Sequence, residues 1–340
     1  MLSTLYARVA EQRRRWYAHR PEARRRLAHP VISVGALAAG GSGKTPVVAD
    51  VAELLLGMGE RPAILSRGYR RQHRLDGVIV VRDPEVLRSD VATAGDEPFM
   101  LARRLAGTSV LVAEDRYLAG RLAERQFGTT VHVLDDGFQH LALDRDVDLL
   151  VLGAQDLDDA RTLPTGRLRE RPETAHLADA LIVETPFAAE SRQIAGQFSV
   201  RDAFHFTKRS GDPRDAETDQ VAEVASGARV LVVVGIARPE PFVESVKTRG
   251  YEVAEILRFE DHHRFTRRDL ATIKERAASL GIDHIVTTEK DLVRLRPFCP
   301  LGLPVAWLPL VVTVEPVAPF RVWLSGRLAQ ARTARRVQQF

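Results

Sequence analysis

The sequence predicts an α/β protein: a mostly parallel sheet covered by helices on both faces, followed by a second, smaller unit of the same class. Three observations carry this. Short runs rich in Val, Ile and Leu alternate with amphipathic stretches, the pattern of buried parallel strands joined by helices. One such run, residues 31–34, passes into a turn containing Gly40, Gly41 and Gly43 and then into an amphipathic stretch. The alternation weakens between about residues 186 and 227 and restarts at residue 229, so a chain of 340 residues divides into two units of ordinary size.

Residues 1–28 come before the first strand and hold Arg8, Arg13, Arg14, Arg15, Arg20, Arg24, Arg25 and Arg26, interleaved with Leu2, Leu5, Tyr6, Val9, Trp16 and Tyr17. An apolar stripe at helical spacing beside a basic, aromatic-bearing face suits a helix lying on a membrane surface. A solvated basic helix docked on the core fits the same residues.

The glycine-rich turn is the most specific feature. Ala38, Ala39, Gly40, Gly41, Ser42, Gly43, Lys44 and Thr45 match the phosphate-binding loop except for Ala38, where the strict pattern has Gly. In such a loop the open N–H groups at the helix start face phosphate oxygens, the lysine reaches the β- and γ-phosphates and the hydroxyl holds Mg²⁺. Those roles fall to Lys44 and Thr45. Val47, Val48, Val51, Leu54 and Leu55 give the following helix one apolar face, and Pro46 sits in its first turn, where a missing N–H costs little. The chain has five lysines, so one in this slot carries weight.

Further strands are expected at residues 62–65, 78–81 and 110–113. The first ends at Ser66, Arg67, Gly68, Tyr69, Arg70 and Arg71, polar groups at the carboxyl end of a strand, where open α/β sheets bind ligands. Arg67, Arg70 and Arg71 suit an anionic substrate or a solvated cluster. Gly95, Asp96, Glu97 and Pro98 precede a helix, and Asp96 reads either as its N-cap or as a carboxylate delivered for catalysis. Residues 131–134 form an apolar strand running into Asp135 and Asp136, the pair expected to face Mg²⁺ beside a phosphate loop, with Gln139 and His140 following. Strands at 148–152 and 181–183 close the series, with a polar loop at 163–170 between them.

Residues 201–227 are expected to connect the two units. The second unit should hold strands at 229–234, 251–257, 284–287 and 305–308 and a helix over 266–280. Its strand ends carry Glu260, Asp261, His262 and His263, and Thr288, Glu289, Lys290 and Asp291. Adjacent histidines point to opposite sides of an extended chain, so the pair does not make a zinc site; one pairing with a carboxylate suits an acid/base role.

Composition sets the outer bounds. The single Cys299 excludes an internal disulfide and a multi-cysteine zinc site and fits a reducing compartment. No apolar run approaches the roughly 20 residues that span a bilayer, and the N-terminus lacks the apolar core of a secretory signal. The net charge is +4, and no nucleic-acid-binding signature accompanies the basic segment, so no nucleic-acid partner is expected.

Taken in order, GGSGKTP, SRGYRR, GDEP, DDGFQH, LPTGRLRE, GIARPEPF, DHHRFT and TEKD make the chain resemble the tetraacyldisaccharide 4'-kinase (lipid A 4'-kinase) family over residues 31–291. The resemblance implies a phosphate-loop NTPase-like domain at residues 29–200 and a smaller α/β/α domain at 228–340, with the active site between them. It implies ATP and Mg²⁺ as cofactors and a lipid-linked disaccharide 1-phosphate as acceptor of the γ-phosphate. It also implies peripheral attachment to the cytoplasmic face of the bacterial inner membrane; no obligate protein partner is evident in the sequence.

By motif position, Gly40, Gly41, Ser42, Gly43, Lys44, Thr45 and Gln139 bind nucleotide, and Thr45, Asp135, Asp136 and Glu170 face the metal. Asp96 matches the acid/base carboxylate, His262 the histidine that assists it, and Tyr69, Arg116, Arg169 and Asp261 substrate-contacting or supporting positions. Two positions depart from the family pattern: Ala36 stands where Asn is usual, and Arg264 where Pro commonly follows DHH. A nucleotide-dependent membrane switch and a kinase of a soluble sugar share the phosphate loop; the Asn-Lys-x-Asp signature of a GTPase is absent.

Overall fold

The computed structural model describes residues 2–69, 71–73 and 76–337, and the chain separates into two compact units. The first comprises residues 1–208 and 312–340, the second residues 209–311.

The first unit is built on an eight-stranded sheet, consisting of β1 (Val31–Ala36), β2 (Pro62–Ser66), β3 (Ile79–Arg82), β4 (Ser109–Val112), β5 (Val131–Asp135), β6 (Val147–Leu152), β7 (Ala180–Glu184) and β8 (Asp202–Phe206). Their order is β3-β4-β2-β5-β1-β6-β7-β8, and β3 alone runs antiparallel to its neighbour. β1 lies between β5 and β6, with Val34 paired to Asp135 and to Leu149. The phosphate-loop strand and the carboxylate-bearing strand are therefore adjacent and end on the same side, as the sequence predicts. Every residue of β1, β2 and β5 is buried, which is why these strands read as unbroken apolar runs.

Helix α1 (Leu2–Ala18) opens the chain, and α2 (Lys44–Gly57) follows the glycine-rich turn. α2 buries Val47, Val48, Ala49, Val51, Ala52 and Leu55 against the sheet, and each fully buried valine or leucine contributes about 1.5–3 kcal/mol.

Two expectations are corrected. β8 lies inside the stretch read as a connection and pairs with β7 through Ile182–Phe204 and Glu184–Phe206. The final helix, Val317–Val337, returns to the first unit rather than completing the second. Phe320, Leu324 and Leu328, spaced four apart, join the core of the large sheet; Phe320 meets Phe204 edge-on with ring centroids 4.8 Å apart, and Val314 N–H donates to Asp50 at 2.9 Å.

The second unit has its own five-stranded sheet in the order Arg214–Asp215, Val305–Leu308, His284–Thr288, Arg229–Val234 and Glu252–Arg258. Only the short first strand is antiparallel. Helix Arg267–Leu280 starts where expected because Thr266 and Asp269 form a reciprocal capping box.

Candidate active site

Gly40, Gly41 and Gly43 have φ of 108°, 79° and 87°, a conformation that side chains resist. Gly43 caps α2 without a side-chain hydrogen bond, leaving the first helical N–H groups open to an anion. The Ser42 hydroxyl is buried and has no hydrogen-bond partner among the described residues. Two cations outside the motif brace the turn. Arg167 donates to the Gly40 carbonyl at 2.9 Å, and Lys208 donates to the Gly41 carbonyl at 3.3 Å and to Glu184 at 2.7 Å.

At the end of β5, Asp135 is buried and accepts from the Ser66 hydroxyl at 2.9 Å. Burial pushes its carboxyl up to about 7, and the Glu97 and Asp136 carboxylates add to that. Burial acts on Asp136 too, but Lys44 and Arg169 outweigh it and hold that carboxyl below its usual range. Lys44 Nζ lies 3.6 Å from Asp136 Oδ1, which has no hydrogen bond among the described residues, and Arg169 donates to Oδ2 at 2.5 Å. Gln139 donates to the Ala36 carbonyl at 3.1 Å and accepts from Arg169 at 3.4 Å. The carbonyl that Gln139 uses belongs to the main chain, so it is present whether residue 36 is Ala or Asn.

The oxygen set of Thr45, Asp135 and Asp136 suits a hard cation such as Mg²⁺. A buried carboxylate raised to about 7, beside an Asp136 oxygen that accepts no hydrogen bond among the described residues, fits a site for such a cation. Glu170, expected on the metal side, is buried with both oxygens engaged by Arg14 of α1.

Arg116 is largely buried; burial and the nearby Arg67 lower its pKa, and it donates to His140 Nδ1 at 3.3 Å. Burial and Arg116 in turn push His140 down to about 3, so its ring is neutral and able to accept. Tyr69 is exposed, and Arg70 lies outside the described residues. Asp96 is the first residue of helix Asp96–Arg104, whose N-cap is Gly95, so its carboxylate is not the cap.

In the second unit, Lys290 donates to Asp261 Oδ1 at 2.9 Å and to His262 Nε2 at 3.0 Å. An ammonium only donates, so Nε2 accepts and the ring proton sits on Nδ1. His262 has a φ of 64°, held by the surrounding turn. His263 pairs instead with Asp269 at 3.0 Å, so the two histidines separate as expected. Asp291 is buried under the Gly235 N–H, the Thr288 hydroxyl and Arg294 and shapes the turn.

Sequence reasoning missed Lys208, Arg167 and Arg14. Lys208 left a signal, being one of only five lysines. The arginines did not, because nothing separates them from their many neighbours.

The sequence model of the tetraacyldisaccharide-1-P 4'-kinase family matches residues 1–329. A tetraacyldisaccharide 4'-kinase of Geobacter sulfurreducens is 35% identical over 319 residues, 93% of this chain and 88% of that protein. One from Anaeromyxobacter dehalogenans is 41% identical over 284 residues, 80% of this chain and 74% of that protein. Among solved structures, LpxK from Aquifex aeolicus in complex with ATP superposes with a TM-score of 0.77 at 31% identity, covering 96% of this chain and 97% of that one. With a phosphate loop facing paired carboxylates and a family match over nearly its whole length, the chain belongs to the tetraacyldisaccharide-1-P 4'-kinase family.

Proposed function

We propose that this protein transfers the γ-phosphate of ATP to the 4'-hydroxyl of a tetraacyldisaccharide 1-phosphate, with Mg²⁺. The observation that carries this is the α2 start at Lys44 facing Asp136, with Asp135 beside it. Phosphoryl transfer needs positioning and charge neutralisation more than covalent participation by the protein. The turn at residues 40–43 cradles the triphosphate, and Lys44 offsets charge on the transferring and leaving oxygens. Thr45, Asp135 and Asp136 would hold Mg²⁺, which when bound neutralises the phosphate oxygens. Asp96 takes the proton of the attacking hydroxyl as the new O–P bond forms and the bond to the ADP oxygen breaks. Within the second unit, Lys290 binds both Asp261 and His262 and leaves the His262 Nε2 as an acceptor. Tyr69, Arg116 and Arg169 contact or support the substrates.

No helix among the described residues is long and apolar enough to cross a membrane. Helix α1 supports attachment to the cytoplasmic membrane surface instead. It docks through Ala7, Arg13 and Arg14 while Leu2, Leu5, Tyr6, Val9 and Trp16 remain exposed. An acyl-chain substrate reaches an enzyme seated there without leaving the bilayer.

The test is transfer of labelled γ-phosphate to tetraacyldisaccharide 1-phosphate in mixed micelles. The native protein should phosphorylate the lipid, and Lys44→Ala and Asp96→Ala should not. ATP hydrolysis without lipid phosphorylation would overturn the assignment.

A further inference from the structure

Glu170 is a buried carboxylate, and such a group needs a cationic or hydrogen-bonding partner. Its partner comes from the far N-terminus. Arg14 Nε lies 3.1 and 3.0 Å from the two Glu170 oxygens, and Arg14 Nη2 lies 2.7 Å from Oε2. The same Nη2 donates to the Phe138 carbonyl at 2.9 Å, and the guanidinium stands 4.3 Å from the centre of the Phe138 ring. The two side chains are only 12% and 6% exposed, so this is not a solvent-screened surface pair.

Neighbouring contacts point the same way. Arg13 donates to the Gln139 carbonyl at 2.9 Å, and Thr162 donates through its hydroxyl to the Ser3 carbonyl at 2.9 Å. Helix α1 thus fastens two loops at once. One carries Asp136, Phe138 and Gln139; the other carries Arg169 and Glu170. Arg169 and Asp136 are bonded to each other, and Asp136 faces Lys44.

We propose that Arg14 is a positioning residue for phosphoryl transfer. By holding Glu170 and Phe138 in fixed relation, it keeps Arg169, Asp136 and Gln139 aligned on Lys44. It acts through the loops and does not touch the phosphate. The planar guanidinium meets the Glu170 carboxylate and the Phe138 carbonyl in a fixed fork and lies over the Phe138 ring, a geometry that the point charge of an ammonium on a flexible stem reproduces only in part, so lysine is an incomplete substitute. The proposal rests on the kinase assignment above.

The experiment compares native protein with Arg14→Gln, Arg14→Lys, Glu170→Gln and the Arg14→Gln/Glu170→Gln double variant. Each is assayed for lipid phosphorylation in mixed micelles and titrated with a fluorescent ADP analogue to count nucleotide sites. Arg14→Gln is expected to lower kcat on the order of 10- to 100-fold, as misplaced reacting groups do, while keeping one nucleotide site per chain and an unchanged KM for lipid. Arg14→Lys should recover part of the loss, and the double variant should be no worse than the poorer single one, because both remove the same link. Wild-type kcat in Arg14→Gln overturns the proposal. So does loss of nucleotide sites in step with kcat, which would make Arg14 a matter of folding alone, and so does a change confined to the KM for lipid. Failure of the native protein to phosphorylate lipid is a separate outcome that overturns the kinase assignment.

Discussion

Asp135 and Asp136 are neighbours in the chain whose carboxyls are shifted in opposite directions. Burial, with Glu97 and Asp136, drives the first up to about 7; Lys44 and Arg169 overcome burial at the second and keep it ionised. Two carboxylates split in this way divide their work. Asp136 is paired with the phosphate-loop lysine, while the Asp135 carboxyl can gain or lose its proton near neutral pH.

Binding of Mg²⁺ with ADP should therefore release a proton near pH 7, because the metal takes the ionised carboxylate. Titration calorimetry in two buffers of different ionisation enthalpy reads that proton directly. The release should disappear by about pH 9, where Asp135 is already ionised, and should be absent in Asp135→Asn.

Asp96→Ala should stop lipid phosphorylation without unfolding the protein. Helix Asp96–Arg104 has Gly95 as its N-cap, and the charge–dipole contribution of Asp96 to that helix is about 0.3–1 kcal/mol. Removing a general base costs on the order of 10² to 10⁴ in rate. A melting midpoint that collapses together with activity would return Asp96 to a structural role.

Gly35→Ala tests the close packing of β1 on the loop after β5. An added Cβ would lie 2.4 Å from Phe138 Cβ and 2.7 Å from its backbone nitrogen, so main chain must move. Overpacking of this kind costs about 1–3 kcal/mol, and the shift reaches Gln139 and Asp136. A lowered denaturant midpoint together with weaker binding of fluorescent ADP is expected.

Asp50 offers a test of stability against pH. Burial raises its carboxyl from 3.8 to about 6, against the Val314 N–H that lowers it and with Glu53 adding to the rise. The folded state keeps this proton after the unfolded chain has released its own. The group's contribution is therefore full below about pH 4 and is lost as pH rises through about 6. Asp50→Asn should flatten that window and raise the thermal midpoint at neutral pH, the upper limit being on the order of 3 kcal/mol. An unchanged pH profile would place the ionised carboxylate in water.

Leu5→Glu combined with Val9→Glu should weaken sedimentation with anionic vesicles, because both side chains are exposed on α1. Binding of the native protein should also fall with added salt, since the arginines contribute through a screened field. Binding indifferent to both changes would remove α1 from the membrane-facing role.

The framework of the first unit was legible because buried parallel strands leave unbroken β-branched runs, as residues 131–134 do. Adjacent placement of Lys44 and Asp136 followed from the phosphate-loop pattern. What was not legible has a common cause. β8 reads as Phe204, His205 and Phe206 between polar residues, too short a signal at a sheet edge, and helix Val317–Val337 has an apolar face that could cover either unit. Arg14 lies among eight arginines in residues 1–28, and only the tertiary fold shows which one reaches Glu170. The residues around Asp96 left it between a cap and a catalytic carboxylate; the helix boundary puts Gly95 at the cap.

The return of Val317–Val337 to the large sheet sets the order in which the polypeptide is completed on the ribosome. The smaller unit, residues 209–311, emerges whole before the larger one has its last core helix. A domain begun first thus finishes last, holding an uncovered sheet face while an entire second domain is synthesised. Loss of Phe320 or Leu324 through an early stop codon would leave the phosphate loop encoded but its supporting core open.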